Sequence, residues 1–249
     1  MNTIAPDDMV LVSPRYLAGC GMNRVSHAIG PLIHMFNWPH KHDRDTGRIE
    51  IDSPCGSTFL DFTPARQDGV WWTIAHHEPY WQIEFSRQTP SEIIASVTQA
   101  LPQLLGDRRH TDRIPLPTES VAHLAEASGW SVTATAAGVA WKSPDEHCAV
   151  EHSADPDHPW QIAHSVYDGF DTHWTATFTP DVPDQLVAQF FTHLVSSIPV
   201  ERVYREVPFL VQTSNSALIT PVKNAAVNPH THHAVAQATR TFEQTHQRR

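Results

Sequence analysis

The histidines of this sequence offer the most direct route to chemistry. His40 and His42 lie in the segment PHKHD, with His34 upstream and Asp43 beside them. On a strand, His40 and His42 would share a face, and with Asp43 or a distant residue they could bind a metal ion. Their spacing is short and no fourth ligand is evident, so a solvated polar loop is the simpler interpretation. We therefore predict no metal site, and His34, His40 and His42 are the candidates that would overturn this.

Motifs for other kinds of catalysis are missing from the sequence. It contains no G-x-S-x-G nucleophile turn, no H-E-x-x-H zinc motif and no glycine-rich phosphate loop of the G-x-G-x-x-G or G-x-x-x-x-G-K type. The three cysteines form no C-x-x-C pair, which argues against a cysteine-based zinc site and a disulfide framework. We therefore expect a protein without catalytic residues or a cofactor.

The balance of acidic and basic residues limits the classes of partner that this protein is expected to bind. Lys and Arg total 17 against 27 Asp and Glu, a formal net charge of −10 with His neutral. Duplex-DNA binding draws most of its nonspecific affinity from phosphate neutralisation, so this balance argues against it near neutral pH. Protonation of the 18 His residues would reverse the sign of the net charge at lower pH. The sequence has no signal-peptide pattern and no apolar run of membrane-spanning length, so we expect no membrane partner and a cytoplasmic location.

Several sequence patterns occur twice along the chain, in the same order. The pattern W-x-I-A-H occurs at Trp72–His76 and Trp160–His164, 88 residues apart. The pattern W-x-x-x-F follows at Trp81–Phe85 and Trp174–Phe178, 93 residues apart. Further pairs keep the same order, namely Trp38 with Trp130, Ser53-Pro54 with Ser143-Pro144, and Pro90 with Pro183. These landmarks predict two copies of one domain, at residues 10–107 and 119–200, and a C-terminal extension at 201–249.

The local pattern predicts the fold of one copy. Four short segments rich in β-branched and aromatic residues follow one another between turn signals, RIEIDSP, FLDF, WWTIAHH and YWQIEF. Thr89 then reads as a helix N-cap, with Pro90 at the first helical position and Glu92 in the first turn. Each copy is therefore predicted to be a helix, a four-stranded antiparallel meander and a second helix, in an α+β protein. We also predict one strand around Pro208–Val211.

The repeated aromatic side chains lie on the strand face that the helix should cover, so core packing is their simplest role. The alternative is a platform on which the bases of a single-stranded nucleic acid stack, as in proteins of PUR or Whirly type. The binding residues of a functional site would then be the repeated positions Trp72, His76, Trp81, Trp160, His164 and Trp174.

Several motifs together resemble the SPDY-domain family. They are the opening VLVSPRYLAGCG, the triplet Ser143-Pro144-Asp145, the two tryptophan patterns and the T-P-x-E helix start. The resemblance covers about residues 9–200, and it implies a tandem domain of unknown function found mainly in streptomycetes. The first copy departs from the pattern, with Cys55-Gly56 where the second has Asp145-Glu146.

These observations favour a noncatalytic tandem-domain protein that binds another protein or acts as a scaffold. A binder of single-stranded nucleic acid is the alternative, and a histidine-based metalloenzyme is a further one.

Overall fold

The computed structural model describes residues 4–64, 66–167 and 172–222, which form helices and antiparallel sheet. The helices of this part of the chain are α1 (Val25–His34), α2 (Ser91–Leu104), α3 (Val121–Ala127), α4 (Asp184–Leu194) and α5 (Phe209–Gln212). The strands are β1 (Met9–Ser13), β2 (His40–His42), β3 (Ile49–Asp52), β4 (Thr58–Phe62), β5 (Val70–His76), β6 (Trp81–Ser86), β7 (Ser131–Ala134), β8 (Gly138–Lys142), β9 (Cys148–Ser153), β10 (Trp160–His164), β11 (Trp174–Phe178), β12 (Val200–Val203) and β13 (Leu218–Pro221). The predicted mixture of helix and antiparallel sheet is confirmed.

Ten of these strands form one sheet, in the order β2-β3-β4-β5-β6-β11-β10-β9-β8-β7. We call β2–β6 with α1 and α2 the first half, and β7–β11 with α3 and α4 the second half. Each half contributes five strands, and the two meet where β6 pairs with β11. The prediction of four strands in each half is therefore wrong. The strand missed in the first half, β2, is three exposed residues long, so it has no apolar alternation by which to recognise it.

Within each half, the repeated residues occupy matching places in the sheet. Trp72 lies opposite Phe85 across β5 and β6, and Trp160 lies opposite Phe178 across β10 and β11. At the other end of the same strand pairs, His76 lies opposite Trp81 and His164 opposite Trp174. The two tryptophan patterns therefore form the same pair of neighbouring strands twice.

Helices α2 and α4 cover one face of the sheet near its centre. Phe190 of α4 stacks on Phe85 of β6 with ring centroids 5.8 Å apart and meets Phe178 of β11 edge-on at 5.3 Å. All three rings are fully buried. Helix α2 begins at Ser91, so the predicted N-cap role of Thr89 is wrong. The Thr89 hydroxyl instead donates to the carbonyl of Thr175 in the other half, at 3.2 Å.

A second sheet places β1 between β12 and β13. The segment predicted to be a strand at Pro208–Val211 instead begins the short helix α5, preceded by Pro208. A four-residue apolar run does not distinguish a strand from a helix, which explains the error. Residues 223–249 of the predicted extension lie outside the described residues.

Candidate binding groove

The structure buries three of the four tryptophans in the W-x-I-A-H and W-x-x-x-F patterns. Trp72, Trp81 and Trp174 are only 3%, 5% and 2% exposed, on the sheet face beneath the helices. Their rings contribute to the core and offer no free face on which a base could stack. Trp160 is partly exposed. A binding role for the buried three stays a prediction that would require the covering helices to move.

The two repeated histidines differ in their surroundings. His76 places Nδ1 2.9 Å from the carbonyl oxygen of Pro79 and stacks on Trp81. His164 is fully buried against Trp174, and neither of its ring nitrogens has a hydrogen-bond partner among the described residues. Burial, and then the nearby His173 and His147, lower the pKa of His164 to about 3. His164 is therefore neutral at physiological pH.

The three histidines considered as candidate metal ligands lie at the surface. His34 is the last residue of α1, and His40 and His42 form the ends of the edge strand β2. Within the described ranges, no three His, Cys, Asp or Glu side chains are grouped so that they could hold a metal ion. The same part of the chain has no helix long and apolar enough to cross a membrane.

A groove of about 700 Å³ opens in the second half, beside Trp160. Trp141 and Trp160 line it, with nearly parallel rings whose centroids are 5.9 Å apart. His152 stacks against Trp160 at 4.2 Å. The remaining lining residues belong to segment 117–122 and to the first two turns of α4, and they are Pro117, Thr118, Glu119, Ser120, Val121, Ala122, Asp184, Gln185, Val187 and Ala188.

The groove is acidic. Glu119 and Asp184 are the ionisable side chains among its described lining residues, which include no Lys or Arg. The groove therefore combines two parallel indole rings with two carboxylates. This combination suits a ligand that has a flat or apolar body and a positive charge.

At the groove, the second half lacks a helical turn that the first half has. The spacing of Trp38 and Trp130 aligns segment 117–120 with residues 25–28, which form the first turn of α1. Pro115 and Pro117 disfavour helix in this part of the second half, and α3 begins only at Val121. Ser120 caps it, since its hydroxyl accepts from the backbone N–H of His123 at 3.3 Å.

The corresponding region of the first half is filled by its own chain. The N–H of Ser91, at the start of α2, donates to the carbonyl of Cys20 at 3.0 Å. Beside it, Glu92 binds the guanidinium of Arg202. The residues at the same positions of α4 are Asp184 and Gln185, and both line the groove.

Sequence reasoning did not identify the groove residues Trp141, Glu119 and Asp184. One available signal was Trp141, which stands 90 residues after Ile51 of the first half and introduces a second indole beside Trp160. Another was the proline pair in segment 115–117, which disfavours the helical turn present in the first half. The acidic pair could not be recognised, because Glu119 and Asp184 are 65 residues apart in the chain.

Comparison with known families identifies the repeated unit. Residues 52–103 and 142–200 match the family model SPDY, described as a domain of unknown function (DUF317). We call these two matched ranges the SPDY segments. The match confirms the resemblance inferred from the motifs. No curated protein and no solved structure matches the chain.

The two SPDY segments cover equivalent elements. The first spans β4, β5, β6 and most of α2, and the second spans β9, β10, β11 and α4. Of the groove residues, Trp160 and Asp184 lie within the second SPDY segment, whereas Trp141 and Glu119 lie outside it. The groove is therefore formed jointly by an SPDY segment and by the chain that precedes it.

The S-P-D triplet has a structural role in its SPDY segment. The hydroxyl of Ser143 accepts from the N–H of Cys148 at 2.9 Å and donates to Asp145 at 2.5 Å. Ser53 makes the equivalent backbone bond in the first segment, to Thr58 at 3.0 Å. The repeated serine therefore closes the same turn in both segments.

Cys55 stands in the first SPDY segment where Asp145 stands in the second. Its thiol is exposed and lies 3.4 Å from the Ser53 hydroxyl and 3.0 Å from that of Ser57. These hydrogen bonds, from Ser53 and then Ser57, lower the pKa of Cys55 to about 7. Cys55 is therefore partly ionised at neutral pH.

Proposed function

We propose that this chain is a noncatalytic binding module that holds a segment of a partner protein in the groove beside Trp160. The observation that carries the proposal is the open groove of about 700 Å³ at a place where the first half is filled by its own chain. Its volume is typical of ligand sites, which lie at about 300–1,000 Å³. Glu119 and Asp184 are its only ionisable groups among the described lining residues.

The proposal includes a tandem origin for the module, with copies at residues 10–107 and 119–200 and an extension from 201. Support comes from the SPDY matches at 52–103 and 142–200 and from the repeated cross-strand partners. In this view one copy completes its own core, and the other keeps a groove for a partner. A cytoplasmic location stays a prediction.

The charge of the groove favours a protein partner over the alternative, a single-stranded nucleic acid. Phosphate groups entering the groove would meet the carboxylates of Glu119 and Asp184 without a lining Lys or Arg to neutralise them. Trp72, Trp81 and Trp174, the other tryptophans of the two repeated patterns, are buried and offer no such surface.

Selection from a random peptide display library on the immobilised full chain tests the function. We expect selected peptides to bind one to one by calorimetry and to compete with one another. The variant Gln185→Trp should abolish binding, since Gln185 is an exposed residue of the groove wall and an indole there would fill the groove.

Gln161→Trp is the matched control. Gln161 is exposed on β10 and is not a lining residue, so this variant should bind like the wild type. Circular dichroism would verify that both variants fold. Peptides that bind Gln185→Trp as tightly as wild type would show that the groove is not the binding site.

A further inference from the structure

We propose that the residue which the groove selects is an arginine of the partner segment. This inference rests on the proposed function and specifies its ligand. It follows from two features of the repeated fold. One is the acidic, indole-lined groove of the second half, and the other is the arginine that is bound at the start of α2 in the first half.

The first half shows how this fold holds a guanidinium. Arg202 is fully buried, and its two terminal nitrogens donate to the two carboxylate oxygens of Glu92 at 2.7 and 2.6 Å. Its remaining bonds go to backbone carbonyls, including those of Ala18 and Gly19 at 3.1 Å each. A bidentate pair of this kind fits the planar fork of arginine.

The fit around Arg202 is close. Gly21 has a φ of +59°, and a Cβ added there would lie 2.6 Å from the guanidinium carbon. The chain therefore has a residue without a side chain where the arginine passes. Glu92 lies in the first turn of α2, so its carboxylate offsets the unfavourable effect of the helix dipole on a nearby cation.

The second half offers the corresponding chemistry without an occupant from the described residues. Asp184 begins α4, one residue before the position that matches Glu92, and Glu119 supplies a second carboxylate from segment 117–122. The carboxylate of Asp184 can offset the α4 dipole in the same manner. The groove lining includes no Lys or Arg among the described residues, so no positively charged lining side chain repels an incoming cation.

The indole rings distinguish arginine from lysine. A guanidinium stacks flat on an aromatic ring and donates two parallel hydrogen bonds to a carboxylate, whereas an ammonium is a compact charge that binds as a point. The same protein already places guanidinium groups on aromatic rings, with Arg87 5.0 Å from the centre of Trp71 and Arg109 5.5 Å from that of Phe36. Trp160 presents a partly exposed indole for the same contact.

Nuclear magnetic resonance on the full chain tests the proposal with small probes. The indole N–H signals of Trp141 and Trp160 would be assigned from the variants Trp141→Phe and Trp160→Phe. We expect N-acetyl-arginine methylamide to shift these signals in a saturable manner. N-acetyl-citrulline methylamide, which has the same shape without the charge, should bind at least about tenfold more weakly, as should the lysine analogue.

Paired variants connect the effect to the two carboxylates. The double variant Glu119→Gln with Asp184→Asn should weaken binding of the arginine probe at least about tenfold. The control Asp52→Asn with Glu78→Gln removes two exposed carboxylates of the first half that are not groove residues, so it should leave binding unchanged. An equal loss in both double variants would show a general charge effect and would overturn the proposal.

The outcomes separate this inference from the proposed function. If citrulline or lysine binds as well as arginine while display-selected peptides still occupy the groove, the arginine proposal is wrong and the binding function stands. If neither the probes nor the selected peptides affect Trp141 and Trp160, both proposals are wrong.

Discussion

Gln82 and Thr179 exchange hydrogen bonds across the junction of the two halves. The backbone N–H of Gln82 donates to the hydroxyl of Thr179 at 2.7 Å, and the N–H of Thr179 donates to the carbonyl of Gln82 at 3.0 Å. At the other end of the junction, the N–H of Thr175 donates to the hydroxyl of Ser86 at 2.8 Å. Thr175 and Thr179 stand 93 residues after Gln82 and Ser86, so the junction repeats the same contact in both directions.

The substitution Thr179→Val tests this junction. It keeps a β-branched side chain and removes the acceptor for the partly buried Gln82 N–H, so we expect a loss of about 1–2 kcal/mol in unfolding free energy. Thr133→Val on the exposed strand β7 is the control. Urea unfolding would measure the stability of both variants. A midpoint of Thr179→Val equal to that of the wild type would mean that the Thr179 hydroxyl contributes nothing to the junction.

Removing the charge of Arg202 should destabilise the protein strongly. Arg202→Met leaves the Glu92 carboxylate, whose side chain is only 17% exposed, without its partner. We expect a loss of about 3–5 kcal/mol in unfolding free energy, as for other broken buried ion pairs. Adding Glu92→Gln should restore part of the loss, because the unpaired charge is then gone. A double variant as unstable as the sum of its single variants would contradict this coupling.

Stability should fall in acid because of His164. Burial holds its folded pKa at about 3, whereas an unfolded histidine titrates near its ordinary value of 6.5. The unfolded state therefore binds more protons, and the contribution of His164 to stability is complete above pH 6.5 and is lost as the pH falls toward 3. His193, with a pKa lowered to about 4 by burial and then by Arg15, acts in the same direction.

The variant His164→Leu isolates this effect. Between pH 7 and pH 4.5 it should lose about 2 kcal/mol less unfolding free energy than the wild type, because it lacks the histidine whose pKa is lowered in the folded state. Exposed His123→Leu is the control. Parallel pH dependences of His164→Leu and wild type would show that His164 does not titrate on unfolding in this range.

Cys55 should be the most reactive thiol of the native protein. It is exposed and its pKa is lowered to about 7, whereas Cys148 is buried and burial raises its pKa well above the ordinary value. Burial also raises the pKa of Cys20. Iodoacetamide should therefore modify Cys55 first, with a rate that is half-maximal near pH 7. Peptide mass spectrometry would locate the label.

The control for the thiol is Ser57→Ala, which removes one hydrogen bond to the Cys55 sulfur. Its alkylation profile should move to higher pH, because the thiolate is then less stabilised. An unchanged profile would mean that Ser57 does not act on the thiol.

Local pattern was sufficient for much of the central architecture. The alternation of side chains in WWTIAHH and YWQIEF was sufficient to predict β5 and β6, because successive side chains of a strand point to opposite faces. The repeat spacing then predicted that the second half would form the same strands. Helix α2 was predicted from Thr89, Pro90 and Glu92 as a helix start, although its first residue is Ser91 and not Pro90. These features depend on neighbouring residues, so a sequence can specify them directly.

Tertiary structure decided how the halves join and where a groove is left. The same W-x-I-A-H pattern yields a buried Trp72 and a partly exposed Trp160. Exposure depends on what covers a ring, and that cover comes from residues distant in the chain. The pairing of β6 with β11 is equally invisible in sequence, because backbone groups at any strand edge can form such hydrogen bonds. The repeat determined the strands, and long-range packing determined which copy remained open.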